Sequence, residues 1–571
     1  MIKIRRKVEW AVVLLFVVVF FTSRHHVSRS NGPAANVASQ ASRASVERER
    51  VFEKVFEHLA AAAPPPAPHS VSELRPDDCQ IHDVGLNPDA DVQRLSYDTL
   101  DRCYQPSAAQ LQALETAHTR FRHAVESELA LEADAPVFDA LFPRERGIVT
   151  VGGGKYSLLS YSMIRVLREH GSQLPVEVLI PPQDEGDDHY CDSVLPALNA
   201  RCVFMRDLLP ASVASNWHFK QYQIKSVALL FSSFKKIIFI DADNYPVKNV
   251  DLLFESDVFA TTGLVLWPDM WRRLTPPAFY RLAHVDVDLS TRVRHLGDDV
   301  SPVSQYQKPD ADAAYNRAHV PLHDLDGTVS DPTSETGQLV LDKVRHFDTL
   351  LLAFYYNLYG QDWYYYMFSQ GTSGQGDKET FAMAAHVLGK PYYQVKTKID
   401  LDGYWAPDDS GFKGVGLLQH DASEDYLVHG RAEAYVRENY ATLAEYNPDY
   451  NVDKVFYNGL LVPEGKDAVD VMFVHASYHK LEPWGLYKER TYIDNDGGFF
   501  RSFKKIHRLH GFDIELFQFQ LLNNAVCSDK KIQFKYLQEY FEKEEWPRVC
   551  EYIGKRLQYL MDTHEEAVAE N

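Results

Sequence analysis

Lys235–Val250 reads KKIIFIDADNYPVKNV, and the fold turns on how this stretch is read. Ile237, Ile238, Phe239 and Ile240 form an apolar run of the length and kind that makes a buried strand. The run stops at two carboxylates one residue apart, Asp241 and Asp243. Charge at the end of a buried strand is costly unless something compensates it. A divalent cation is the simplest compensation, and a solvated turn after the strand is the alternative. The cation would hold a phosphorylated ligand outside the carboxyl ends of the strands, where α/β sheets bind such groups.

Working outward, the neighbouring segments alternate between strand and helix patterns. Gly147–Val151 reads as a first strand, and Gly152-Gly153-Gly154 as a tight turn into a helix over 158–170. Further strands are expected at 176–181 and 201–205, with a helix at 221–234 ahead of the acid pair. That alternation predicts an α/β fold with a mostly parallel sheet. The glycine turn is no Walker loop. Val149 stands where that pattern needs its first glycine, and Tyr156 follows Lys155. It suits a nucleotide lying against backbone, which makes Gly152 and Gly153 candidates; a plain tight turn is the alternative.

Other candidates follow the same logic. The apolar stretch 469–474 ends at His475, where an imidazole can add a metal ligand, and Lys480 beyond it suits a diphosphate. Glu335 precedes the strand-like run 339–342, and Asp377 and Glu379 open a helix over 381–388. These acids are helix caps or carboxylates around a reacting carbon. The aromatic segments Tyr355–Tyr359 and Trp363–Tyr366 read mostly as core, with sugar stacking as the alternative.

The bounds exclude some classes. A formal charge of -21 over 571 residues argues against nucleic acid as a partner. Apolar content of 45% and aromatic content of 12% supply a large core. Lys3, Arg5, Arg6 and Lys7 precede an apolar stretch from Trp10 to Phe21, which predicts a cytoplasmic tail (1–9) and an anchor (10–22). The stretch is short beside the roughly 20 residues of an ordinary span. A cleaved signal peptide is the competing reading, but no small-x-small site directly follows Phe21. Residues 23–75, rich in Ala, Ser and Pro, read as a stem with some helix at 45–59. Residues 76–145 read as mostly helical, with Leu111, Leu114, His118 and Phe121 on one stripe. Residues 146–480 form the expected catalytic part and 481–571 a helical extension on its outside. The six cysteines suit an oxidising compartment, with pairing between sequence neighbours the simplest arrangement. No Asn-x-Ser/Thr sequon occurs.

Beyond these patterns, the chain resembles the fungal Golgi α-1,2-mannosyltransferases that branch the outer N-glycan mannan. The segments that carry the resemblance are LPVEVLIPP (174–182), QYQIKSVALLFSSFKKIIFIDADNYPVKNVDLLFES (221–256) and TTGLVLWPDMWRR (261–273). SETGQLVLDK (334–343) and GTSGQGDKETFAMAAHVLGKP (371–391) also match. The resemblance implies a GT-A type fold, a Rossmann-like mixed sheet flanked by helices. It also implies GDP-mannose as donor, Mn²⁺ (or Mg²⁺) as metal, and retention of the α configuration. Carried over by position, Asp241 and Asp243 match the metal and diphosphate motif, and Lys225 lies in the helix that reaches toward the nucleotide. Asp377 and Glu379 match the GDKET segment. His475 is similar to the metal-binding His of related retaining transferases. The implied setting is a single-pass Golgi membrane protein with a lumenal catalytic part. Its acceptor would be a mannose-containing glycan, and a Golgi transferase complex or homodimer is compatible with it. A UDP-sugar donor, or an inactive glycan-binding protein on the same fold, are the rival readings.

Overall fold

The computed structural model describes residues 33–68, 70–79, 81, 92–372, 374–476 and 479–569. The expected tail and anchor lie outside the described residues. Among those described, no helix is long and apolar enough to cross a membrane.

Helix α1 (Pro33–Ala61) and helix α2 (Ala108–His123) come first. Ser107 caps α2, its side chain accepting from the Gln110 amide while Gln110 reaches back to the Ser107 amide. Then follow β1 (Arg144–Val151), α3 (Ser157–Glu169), β2 (Val176–Ile180) and β3 (Ala200–Phe204). Helix α4 (Tyr222–Phe231), β4 (Phe234–Ile240) and the short β5 (Asn244–Pro246) carry the opening sequence stretch. β6 (Leu264–Pro268) and β7 (Ser334–Asp342) come next, then helices α5 (Phe347–Leu358) and α6 (Thr380–Val387). The strands that complete the two larger sheets are β8 (Tyr393–Gln394), β9 (Asp400–Trp405), β10 (Phe412–His420) and β11 (Val471–Ala476). Helices α7 (Ile514–Val526) and α8 (Trp546–Asp562) follow.

The main sheet has the order β8-β6-β7-β4-β1-β2-β3. It is mixed α/β as expected. β1 pairs in parallel with β2 and β4, while β7 runs antiparallel between β4 and β6. Side chains of β4 alternate between two cores. Ile237 and Phe239 face one core with α4, α5 and α6. Ile238 and Ile240 face the other with α3, α7 and α8. A strand buried on both faces reads as a continuous apolar run, which is why the Ile/Phe stretch marked it. A second sheet, β9-β10-β11-β5, branches off where β4 ends. The turn 241–243 therefore sits at the junction of the two sheets.

Three readings need correction. The stem does not extend to residue 75. Phe52, Val55, Phe56 and Leu59 of α1 are buried in the first core, and the Phe56 ring packs on Phe219, Phe231 and Phe354. The spacing on α1 is that of an amphipathic helix whose partner, α5, lies three hundred residues on, out of sight of local composition. The segment 481–571 is no outer appendage either. Ile514, Phe519, Val549 and Ile553 help build the second core, and Phe503 would be 2.7 Å from any Cβ placed at Gly416 of β10. The Lys504 and Lys505 amides donate to the Asp402 carboxylate of β9 at 2.8 and 2.9 Å, while the buried pairs Arg501–Asp513 and Arg556–Glu515 brace the segment internally. Finally, Glu335 does not precede its strand but lies inside β7.

Other expectations hold. Cys79–Cys103, Cys191–Cys202 and Cys527–Cys550 are bridged, each with its sequence neighbour. Leu114, His118 and Phe121 of α2 are buried and Leu111 packs beside them. Tyr355, Tyr356, Trp363, Tyr364, Tyr365 and Tyr366 are all buried, so they are core and not a sugar platform.

Candidate active site

The main-chain path puts both acids of the pair at the open end of β4. The Asp241 amide donates to the Gly337 carbonyl at 2.8 Å, the last tie to β7. The Asp243 carbonyl accepts from the Ala476 amide at 2.9 Å, the first tie to β11. β5 then runs beside β11 with Asn244 opposite His475, which brings the imidazole to the acid pair.

Charged side chains alternate across the site. Lys225 of α4 donates to Asp241 Oδ2 at 2.9 Å and lies 3.3 Å from Asp377 Oδ2. His475 Nε2 is 3.5 Å from Asp243 Oδ1, and Lys480 donates to the same carboxylate. His475 Nδ1 is 4.0 Å from Glu335 Oε1. Glu335 Oε1 also accepts from the Thr336 and Gly337 amides at 2.9 and 2.8 Å. Its Oε2 accepts from Lys378 at 2.8 Å, and Lys378 reaches Asp269 at 2.5 Å.

Electrostatics follow from this packing. Burial lifts the Asp241 carboxyl to about 6, with Asp243 and Asp377 adding to the rise against the pull of Lys225. Burial works the same way on Asp243, but the hydrogen bond to His475 and the charge of Lys480 outweigh it and hold the group well below the usual range. Burial also opposes Glu335 ionisation, yet Lys378 and then His475 hold it down at about 2. Burial disfavours the charged imidazole of His475, but Asp243 and Glu335 raise it above its ordinary value. The linked acids Asp241, Asp243, Asp269, Glu335 and Asp377 outnumber the linked bases Lys225, Lys378, Lys480 and His475. That excess of buried negative charge suits a further cation.

A cavity of about 640 Å³ opens beside the pair, lined by Gly152, Tyr156, Asp184, Tyr222, Lys225, Asp241 and Asp243 among others. The glycine turn forms one wall. A Cβ on Gly152 would come within 2.5 Å of Val178 Cγ1, and Gly153 has φ +89°, so neither position accepts a side chain. Gly153 shapes the turn, while Gly152 alone of the two lines the cavity.

The structure thus unites Asp241, Asp243, His475, Lys480, Lys225, Glu335 and Asp377. Asp377 and Glu335 are buried behind the half-buried pair, Asp377 behind Lys225 and Glu335 behind His475. Glu379 is not part of the group, which corrects its place among the reacting carboxylates. Its side chain is buried against the Arg273 guanidinium and accepts from the Ser334 amide at 2.6 Å. Both residues lie in the turn that leads into α6, where Glu379 is the N-cap and Asp377 stands two residues before it. Among the described residues, no three His, Cys, Asp or Glu side chains already converge as a metal site. Lys225 and Lys480 occupy the carboxylates instead. The donor types nevertheless fit a hard divalent cation, with two carboxylates and an imidazole at adjoining strand ends.

Comparison with known proteins fits this chemistry. A family model described as "Mannosyltransferase putative" matches residues 145–421. The chain is 45% identical over 501 residues to the alpha-1,2-mannosyltransferase MNN5 of Saccharomyces cerevisiae, covering 86% of this chain and 84% of that protein. It belongs to this mannosyltransferase family. The chain is also 40% identical to MNN2 of the same yeast, over 85% and 81% of the two chains. Among solved structures, the glycosyltransferase GlyE of Streptococcus pneumoniae is similar over 67% of this chain and 64% of its own, with a TM-score of 0.28 and 10% identity.

Sequence reasoning missed three side chains of the candidate site. Asp269 follows β6 as Asp241 follows β4, so a second strand-ending acid was the available signal. Lys378 sits inside the GDKET segment but only its neighbours were singled out. Asp184 on the far cavity wall carried no local signal. Gly337 is a further constraint, because a Cβ there would lie 2.9 Å from His475 Nδ1. Gly337→Ala is expected to push the imidazole off Asp243. Cation affinity should fall about 10- to 100-fold, as for loss of a ligand-orienting contact, with the melting temperature nearly unchanged. Calorimetric titration with Mn²⁺ checks this, and unchanged affinity rules out the positioning role.

Proposed function

We propose that this chain is a GT-A type, retaining enzyme that transfers mannose from GDP-mannose to a hydroxyl of a mannose-containing glycan in α-1,2 linkage. The observation that carries the reading is the pair of strand-ending carboxylates on the open wall of a nucleotide-sized cavity, opposite a side-chain-free glycine turn. The names of the relatives, alpha-1,2-mannosyltransferases, support the linkage.

Asp241, Asp243 and His475 would hold Mn²⁺ or Mg²⁺. A bound cation neutralises charge developing on the departing diphosphate. Lys480 would then leave Asp243 for a phosphate oxygen, since the two cations cannot share one carboxylate edge. Lys225 keeps Asp241 ionised and oriented, and Glu335 orients the imidazole from behind. Asp377, behind Lys225 at 3.3 Å, is the carboxylate we assign to the neighbourhood of the anomeric carbon. Asp184 supports the guanine donor. Its carboxylate lines the cavity beside the glycine turn, and guanine offers it two adjacent N–H donors where uracil offers one.

In the cell the same reading places an anchor at 10–22 in the Golgi membrane with the catalytic part lumenal. The test is to incubate the purified chain with Mn²⁺, mannose oligosaccharides and either GDP-mannose or UDP-sugars, then determine the product linkage. The reading requires GDP-mannose-dependent, α-1,2-linked product. Preference for a UDP-sugar, or no turnover above a chain lacking both acids of the pair, rejects it.

A further inference from the structure

The most exposed large apolar side chain among the described residues is Trp405, 77% exposed at the end of β9. Phe412, 45% exposed, faces it from the start of β10, the two rings meeting edge-on at 5.8 Å. Apolar rings held together in water invite a ligand.

Register locates this pair relative to the site. Leu401 of β9 pairs with Leu417 of β10, which pairs with His475 of β11. Directly paired residues project from the same face, so these three share the face that His475 turns toward Asp243. Along β9, Gly403 and Trp405 keep that face. The register shift near Gly403 places its extra residue, Val415, in β10, which leaves the alternation of β9 intact. Tyr404 confirms it from the other side, bonding His479 at 2.7 Å and packing on Phe500. Trp405 therefore lies about 14 Å along the strand and two strands, about 10 Å, across from His475, at roughly 3.4 Å per residue and 4.8 Å per strand.

Between them Gly403 and Gly414 are paired, the Phe412 ring lies over Gly403 with Cζ 2.8 Å from where a Cβ would be, and Leu401 and Leu417 carry the face on toward His475. An apolar strip ending in two exposed rings is a surface that a sugar chain can lie along, its apolar faces stacking on the rings. The turn between the strands carries the exposed acids Asp408 and Asp409, which disfavour contact with an anionic membrane surface.

We propose that Trp405 and Phe412 form a remote subsite for the acceptor, gripping mannose units several residues back from the hydroxyl that reacts. This rests on the glycan-acceptor part of the proposed function but not on the donor. Neither residue belongs to the catalytic cluster, and both are surface side chains.

The test compares the full chain in detergent with Trp405→Ala, Trp405→Tyr and Phe412→Ala. Calorimetric binding of mannobiose and of a longer mannose oligosaccharide is measured, with acceptor KM and kcat alongside. Each alanine should weaken the longer oligosaccharide about threefold to tenfold, the worth of one aromatic contact. Trp405→Tyr should retain most of the affinity, and mannobiose binding and kcat should not change. Equal loss for short and long acceptors, or no loss at all, overturns the proposal. Trp405 shielded from an aqueous quencher in proteoliposomes, with no response to the oligosaccharide, also overturns it in favour of a membrane contact. Trp405-dependent binding without transfer from GDP-mannose sustains the subsite and sinks the donor reading instead.

Discussion

Asp243→Ala is expected to reduce mannosyl transfer at least about a thousandfold while leaving the thermal transition close to that of the parent chain. Two features separate Asp243 from its neighbours. It contacts both His475 and Lys480, so it is where the imidazole and the ammonium converge. It is also partly open to the cavity, so its removal leaves no buried charge in a dry environment. The chain should fold because Asp243 contributes to the sheet junction through its carbonyl, which alanine keeps. Loss of the carboxylate removes a cation ligand and frees Lys480 to occupy the site. The check is a transfer assay across a range of Mn²⁺ concentrations, with a melting curve on the same sample. An Asp243→Ala chain that turns over at full rate without metal would falsify the cation role.

Glu379→Ala should behave in the opposite way, and this is the second large effect. Glu379 and Arg273 are both buried, and burial disfavours the Arg273 charge. Arg273 also donates to the Ser330 and Pro332 carbonyls, each at 3.0 Å, so it cannot swing away to solvent. Removing the acid strands a guanidinium in the interior, at about 3–5 kcal/mol of stability. Urea unfolding should show that loss, and residual activity should track the folded fraction. Replacing both partners by apolar residues of similar size should recover most of the stability. A Glu379→Ala chain as stable as the parent but inactive would instead return Glu379 to the reacting carboxylates.

These two residues also show what the sequence could convey. Asp243 was legible because β4 is buried on both faces, so its apolar run and the abrupt acid pair stand out in a short window. The glycine turn and His475 were legible for the same reason, each closing an apolar run, while Lys225 came only with the family resemblance. Glu379 was not, because Arg273 lies more than a hundred residues earlier and nothing local announces the pair. The reach of α1 was hidden likewise. Its stripe 52, 55, 56, 59 is plain, but an amphipathic stripe does not say what covers it, and an Ala- and Pro-rich neighbourhood suggested nothing did. Asp184 and the charge ladder from Asp269 through Lys378 to Glu335 exist only once β6, β7 and α6 have been brought together.

The segment from 481 on buttresses the sheet that carries His475, with Phe503 seated on Gly416 and the Lys504 and Lys505 amides bonded to Asp402, and two buried arginine–acid pairs stiffen the buttress itself. A stop codon between Glu482 and Val549 would thus mimic a catalytic knockout, although every side chain of the candidate site is still translated. A genetic screen scored only on lost product would draw a map whose hot spots include this segment.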